Sequence, residues 1–276
     1  MPGTLYLVSL PIGNLEDVTL RAIRCLRRVD LIVAEDTRHT QRLLARYRIK
    51  TPFSLSVYQG AEGERVKPCL ALLRDGKDLA LVSDAGTPLV SDPGYPLVRA
   101  AVSAGIPVVP IPGPAALLAA LVASGLPLDR FAFDGSVPRK EGARADYIAS
   151  LHGERRTVAV YESPHRLTAT LRAIAAALPE RRLVVARELT KVHEEFLRGT
   201  AREVLEILEA RGDVRGEIVL LLEGSGEPAR DVKASRAEEL LGLLEAEGLS
   251  RTACVQLVSR FLDLPRNEAY RLAHRD

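Results

Sequence analysis

Four short apolar runs limit how this chain can fold. Thr4–Ser9 (TLYLVS), Asp30–Ala34 (DLIVA), Leu79–Ser83 (LALVS) and Pro107–Ile111 (PVVPI) are rich in Leu, Ile and Val and are bounded by turn residues. Such runs read as buried strands. Helical patterns lie between them, at Val18–Arg28, Arg38–Arg46, Arg65–Arg74 and Tyr95–Ala104. Alternating strands and helices predict a parallel sheet covered by helices.

The pattern then restarts. Pro112-Gly113-Pro114 turns the chain, and Ala115–Ser124 continues as an Ala/Leu-rich helix. Phe131–Phe133, Thr157–Tyr161, Leu183–Arg187, Glu195–Arg198 and Glu217–Leu222 are expected strands. Ala143–Leu151, Leu167–Leu178 and Ala201–Ala210 are expected helices. The 276 residues therefore read as two α/β domains, 1–113 and 114–226, with Gly224–Arg230 (GSGEPAR) a linker by composition. Residues 227–276 read as a helical tail. There Leu249-Ser250-Arg251-Thr252 supplies an N-cap, and Leu264-Pro265-Arg266-Asn267 precedes a short final helix, an arrangement like a helix-turn-helix. Five arginines between Arg251 and Arg275, against Asp263 and Glu268, suit either contact with RNA or a packing or dimerisation appendage.

Composition removes several function classes. No apolar run reaches the roughly 18 residues of a membrane span. Met1-Pro2-Gly3-Thr4 leads straight into a strand-like run, so no signal peptide is expected. Cys25, Cys69 and Cys254 stand far apart, as free thiols of a reducing compartment do, and we expect a cytoplasmic protein. His39, His152, His193 and Cys69 lack metal-ligand spacing, and no metal is expected. Net charge is only +2, but Arg38 to Lys50 holds five basic residues and no acidic one. Arg38, Arg42 and Arg46 follow one another at i, i+4 and i+8, making a basic stripe on one helix face. With Arg48 and Lys50 it suits an RNA backbone; a solvated face is the alternative. Aromatic residues are 4% of the chain and Trp is absent, so base stacking has little support and specificity would come from the shape of an assembled particle.

Ligands of open parallel sheets sit beyond the carboxyl ends of the strands. Four loops should meet there: Ser9–Asp17 (SLPIGNLED), Glu35–His39 (EDTRH), Ser83–Gly94 (SDAGTPLVSDPG) and Pro110–Pro114 (PIPGP). The first, third and fourth are dense in Gly and Pro, which let a ligand approach the backbone. Neither G-x-x-x-x-G-K-[ST] nor G-x-G-x-x-G follows the first strand, which excludes a P-loop and a standard dinucleotide site. Loops poor in Lys suit a ligand held by backbone groups and van der Waals contact rather than a polyphosphate.

SLPIGNLEDVTLRAI, AEDTRHTQRLL, LVSDAGTPLVSDPGYPLV, PIPGPAALLAALVASGLP, YESPHRL and ARELTKVHEE occur in this order along essentially the whole chain. Together they resemble the RsmI family of ribosomal RNA ribose 2′-O-methyltransferases, within the tetrapyrrole methylase superfamily. The resemblance implies two α/β domains with S-adenosylmethionine in the cleft between them. It also implies a homodimer and, as acceptor, a cytidine ribose in the decoding region of 16S rRNA.

On this resemblance the donor would contact Leu10, Pro11, Gly13, Asp84, Ala85, Gly86, Thr87, Pro88, Val90, Pro114, Ala115, Ala116, Tyr161 and Ala186. Gly86-Thr87-Pro88 stands where cobalamin-pathway relatives often carry Gly-Asp-Pro, so Asp84, the nearest carboxylate, becomes the candidate for the methionine amine. Asp84 and Asp92 are also ordinary turn-capping residues.

A ribose hydroxyl is a weak acid, so a proton acceptor or an alkoxide-stabilising cation would help its methylation. Glu162 is the first candidate, as base or as orienting group, with capping or salt bridging as its alternative. Lys191 would stabilise an alkoxide, or join Arg187 and Glu188 in an ion network. His165 is a further candidate, or simply packs at a helix start. Arg38, Arg42, Arg46, Arg48, Arg139, Lys140 and Arg166 are the expected RNA contacts. The alternatives are a precorrin-type tetrapyrrole C-methyltransferase and a non-catalytic ribosome-binding factor. The basic stripe and Arg-rich tail favour RNA over the first, and the donor-site loops speak against the second.

Overall fold

The structure is a computed structural model and describes residues 1–53, 62–212, 214–225, 232–262 and 264–274. It divides into two compact units, Met1–Gly224 and Ser225–Asp276. Most of the expected linker, residues 226–230, lies outside the described residues, as do Asp263 and Arg275.

The first unit begins with β1 (Leu5–Val8), α1 (Leu20–Arg28), β2 (Leu31–Ala34), α2 (Thr37–Arg46), α3 (Glu62–Arg74), β3 (Leu79–Val82), α4 (Tyr95–Ser103) and β4 (Val108–Ile111). The four strands form one parallel sheet in the order β2-β3-β1-β4. In register, Leu5 pairs with both Leu79 and Val108. All four expected strands are present. Every residue of β3 is buried, which is why its run is unbroken by polar residues. Local chemistry sets the helix starts. The Thr19 hydroxyl accepts from Ala22 N at 3.0 Å, so α1 begins at Leu20 rather than Val18. Asp36 caps α2 through Arg38 N at 2.8 Å.

A second sheet follows, made of β5 (Phe131–Ser136), β6 (Thr157–Glu162), β7 (Arg182–Arg187), β8 (Glu195–Thr200) and β9 (Ile218–Leu222). Its order is β5-β6-β9-β7-β8. Only β5 and β6 run parallel; the pairings of β9 with β6 and β7, and of β7 with β8, are antiparallel. β5 extends three residues past its expected end because the ladder shifts register at Asp134-Gly135, with Gly135 at φ +71°. The helices of this part are α5 (Ala116–Ser124), α6 (Glu141–Ser150), α7 (Pro164–Ala177) and α8 (Ala201–Arg211). α7 starts three residues before the expected Leu167, since Pro164 suits the first helical turn. Apolar cores cover both faces of each sheet.

The second unit holds α9 (Val232–Ala246), α10 (Arg251–Phe261) and α11 (Arg266–Leu272) around a small core of its own. Ser250 caps α10 as expected.

Candidate active site

In the β2-β3-β1-β4 order the chain leaves β1 towards one side and enters β4 on the other, and ligand crevices form at such reversals. The loops there are tied to one another. Leu10 N donates to Gly86 O at 2.8 Å, and Gly86 N donates to Leu10 O at 3.0 Å. The Thr87 hydroxyl donates to Pro114 O at 3.1 Å, so the Ser9 hydroxyl, 3.0 Å from Thr87 Oγ1, must donate to it. One threonine thus joins three loops. A carboxylate at position 87 has no hydrogen for the Pro114 carbonyl, which accounts for Thr in this Gly-Thr-Pro. Gly86 has φ +74°, and a Cβ there would lie 3.3 Å from Ile12 Cγ2.

Beside these loops is a cavity of about 470 Å³. Ile12, Ala85, Gly86, Thr87, Val90, Ser91, Asp92, Ala115 and Ala116 form one wall. Ser136, Tyr161, Glu162, Ser163, Pro164, Leu189 and Gly216–Val219 form the other. Leu89 and Ser91, and across the cavity Glu188 and Thr190, have φ between +52° and +74°. Such left-handed backbone is costly for residues with a Cβ and clusters at functional sites.

Eight expected site residues line the cavity: Ala85, Gly86, Thr87, Val90, Ala115, Ala116, Tyr161 and Glu162. Leu10, Pro11, Pro88 and Pro114 belong to the same loops without lining it; Leu10 and Pro88 are buried behind its wall. Gly13 serves a close approach instead. A Cβ there would fall 2.6 Å from Lys191 Cγ and 3.0 Å from Leu189 O. Ala186 is fully buried in the second sheet's core. Asp84 is exposed and does not line the cavity; its Oδ1 accepts from Asp36 N at 2.9 Å, linking the second and third loops. The turn-capping alternative describes its geometry. Asp92 lines the cavity and is half-buried. Burial pushes its carboxyl above the ordinary range, against a hydrogen bond with Ser83. Tyr161 stacks edge-on to Phe133 at 5.0 Å, and burial, with Asp92 nearby, pushes its phenol up.

The expected catalytic residues are differently placed. The Glu162 side chain is wholly inaccessible and ion-paired to Arg166 at 2.5 Å. It also accepts from Ser163 N and from the Thr170 hydroxyl, each at 2.7 Å. Its oxygens are committed to holding the start of α7, the geometry of a salt-bridging carboxylate rather than of a base open to substrate. Arg166 is committed as well, to Ser163 Oγ at 3.2 Å and Val137 O at 3.1 Å, and so is turned inward rather than presented to RNA. His165 is exposed and away from the cavity. Lys191 Nζ bonds Glu188 at 2.8 Å and the cavity-lining Glu217 at 3.2 Å. Burial opposes its charge, but these carboxylates outweigh it and hold the ammonium above its ordinary pKa, so Lys191 is a cation.

Glu162 therefore meets the cavity without offering its carboxylate; Asp92 and Glu217 are the acidic side chains left to the lining, and among the described residues no Lys, Arg or His lines it. Arg38, Arg42, Arg46 and Arg48 are exposed, as expected of a basic stripe, and so are Arg139 and Lys140 before α6. The Arg38 fork is taken by Asp36 at 2.6 Å, which holds that carboxyl down at about 2. The Arg46 guanidinium lies 5.6 Å over the Tyr47 ring. Ser136, Ser163 and Gly216–Val219 carried no readable signal, since short polar residues at strand ends are common in turns.

The family model for Tetrapyrrole (Corrin/Porphyrin) Methylases matches residues 4–205. Ribosomal RNA small subunit methyltransferase I of Synechocystis is 45% identical, the match covering 98% of this chain and 97% of that protein. The protein of the same name from Escherichia coli O157:H7 is 44% identical, over 98% and 94%. Among solved structures, uroporphyrin-III C-methyltransferase of Thermus thermophilus complexed with S-adenyl homocysteine shares the fold, with TM-score 0.56, 22% identity, and coverage of 80% of this chain and 97% of that one. The methyltransferase CobJ does so at TM-score 0.61 and 21% identity, over 81% and 95%. The chain belongs to the tetrapyrrole methylase family, among the ribosomal RNA small subunit methyltransferase I proteins.

Proposed function

We propose that this chain is an S-adenosylmethionine-dependent methyltransferase that methylates the ribose 2′-hydroxyl of a cytidine in the decoding region of 16S rRNA. The observation that carries the donor assignment is the cavity: about 470 Å³, within the range for a small-molecule site, with apolar side chains and Asp92 on its walls and, among the described residues, no cationic side chain lining it. Such walls offer a polyphosphate no counter-charge and suit a ligand carrying a sulfonium and an ammonium. The names of relatives 44–45% identical over nearly the whole chain support RNA over a tetrapyrrole as acceptor.

S-adenosylmethionine, when bound, supplies a methyl group already activated on a positively charged sulfur. The protein's part is placement. Ile12, Val90, Leu189 and Val219 would give it apolar walls, and Gly86, Thr87, Ala115 and Ala116 a close backbone cradle. Glu162 acts as a positioning residue, fixing the start of α7 through Arg166. The exposed stripe of Arg38, Arg42 and Arg46, with Arg48, Arg139 and Lys140, would meet RNA phosphates. The exposed Leu118 and Val122 of α5 support a homodimer, and three buried free cysteines support a cytoplasmic setting. We further propose that residues 1–113 and 114–226 act as two α/β domains and 227–276 as an appendage.

The test is calorimetry with S-adenosylmethionine. Wild-type protein should bind it, and Ala115→Phe should abolish binding while the melting temperature holds, because the new ring fills the cradle. Unchanged affinity in the folded variant would remove this cavity as the donor site.

A further inference from the structure

Of the three acidic residues at the cavity, two are already paired. Glu162 holds Arg166 at 2.5 Å and Glu217 holds Lys191 at 3.2 Å. Asp92 differs: among the described residues no Lys or Arg pairs with it, and the neutral Ser83 hydroxyl, which donates to Ala85 O at 3.1 Å, is the nearby group that lowers its carboxyl pKa. It is half-buried, it follows Ser91, whose φ is +66°, and it shares the lining with Tyr161, whose ring is fixed by Phe133. We infer that Asp92 is the proton acceptor for the hydroxyl that is methylated.

The arrangement suits both charge states. The Ser83 hydroxyl has one hydrogen and lies 3.1 Å from Ala85 O. While Asp92 is ionised, that hydrogen can turn to its carboxylate. Once Asp92 is protonated, it can donate to Ser83 Oγ while Ser83 donates to Ala85 O. The step balances without another reagent. The acceptor O–H bond breaks and its proton passes to an Asp92 oxygen. The oxygen's electron pair forms the O–CH₃ bond, and the S–CH₃ pair stays on sulfur, leaving a neutral thioether. Asp84 of the same loop and Tyr161 of β6 are the titratable groups whose charges couple to Asp92. Glu217, paired to Lys191, is the other acidic side chain of the lining. Like charge and burial both favour proton uptake, as a base working near neutral pH requires.

The inference rests on the methyltransferase reading, and the test separates the two. Asp92→Asn, nearly isosteric, is compared with wild type using S-adenosylmethionine and isolated small ribosomal subunits. We expect donor affinity by calorimetry to fall by no more than about tenfold, since one charge of the lining is lost, and the single-turnover rate to fall by roughly 10²-fold or more at saturating donor. Ser83→Ala should move the midpoint of the rising limb of the pH–rate profile to higher pH, because it removes the hydrogen bond that lowers the Asp92 pKa. A rate within threefold for Asp92→Asn, or loss of donor binding in the folded variant, would overturn the assignment; the latter would make Asp92 the donor's ammonium contact. If Asp92→Asn does not fold, the Ser83→Ala profile decides, and an unmoved midpoint overturns the inference. Failure of wild-type protein to bind the donor would instead overturn the methyltransferase reading itself.

Discussion

Glu162→Gln should act chiefly on stability. The carboxylate is wholly inaccessible, 2.5 Å from the Arg166 guanidinium, and takes two further hydrogen bonds at 2.7 Å, from Ser163 N and Thr170 Oγ1. An amide keeps the shape and can retain one or both neutral bonds, but it leaves Arg166 without its counter-charge. Removing one partner of a buried ion pair costs about 3–5 kcal/mol. Arg166 is 24% exposed and keeps Ser163 Oγ and Val137 O, which reduces this to about 2–4 kcal/mol. For a unit of this size, each kcal/mol shifts the melting temperature by roughly 2–4 °C, so a loss of about 5–15 °C is expected. Thermal melts with and without S-adenosylmethionine would measure it. At a temperature where the variant is folded, the methylation rate should stay within about tenfold of wild type. An unchanged melt together with a rate down roughly 10²-fold would refute this and make Glu162 the base.

Other consequences can be checked separately. Gly13→Ala places a Cβ 2.6 Å from Lys191 Cγ and 2.8 Å from Thr190 Oγ1; the first loop must shift, and donor affinity by calorimetry should fall about tenfold, an overpacking cost of ~1.4 kcal/mol. Arg42→Ala should reduce the salt slope of subunit binding by about 0.7–0.9, one phosphate contact, and Arg38→Ala by less, because Asp36 already holds that fork. Donor affinity should not change in either variant. Arg156 holds the Glu154 carboxyl down at about 2. A lowered folded pKa gives stability that is present above the unfolded value of about 4.3 and lost as pH falls towards 2. Urea melts of Glu154→Gln should therefore show a flatter acid limb over that range than wild type.

The first sheet was legible because its strands are short unbroken apolar runs, wholly buried in β3, and each break is a turn. The second was legible as strands but not as a topology. Runs such as Ile218–Leu222 look alike whether the neighbour is parallel or antiparallel, and β9 pairs antiparallel on both sides. The wall of the site built by the Gly/Pro loops could be read from residue type as a loop cluster, and the family resemblance pointed to Gly86, Thr87 and Ala115 within it. The opposite wall could not, because Ser136, Ser163 and Gly216 carry nothing that separates a cavity lining from an ordinary turn. Asp84 and Asp92 both stand in Ser-Asp pairs of one loop. Only the fold shows that the first is taken by Asp36 N while the second faces the cavity. The Glu162–Arg166 pair could not be read from helix spacing, because Glu162 ends β6 and Arg166 stands in the first turn of α7; the strand-to-helix turn brings them together.

The most direct measurement is where the methyl group goes. Small ribosomal subunits lacking the modification would be incubated with the protein and methyl-labelled S-adenosylmethionine, and the 16S rRNA digested to nucleosides and analysed by mass spectrometry. We predict label on the ribose of a cytidine, at a position whose 3′ phosphodiester resists alkaline cleavage in the undigested RNA, and no label with Ala115→Phe. Label on a base, or none on RNA from a protein that binds the donor, would contradict ribose 2′-O-methylation by this chain.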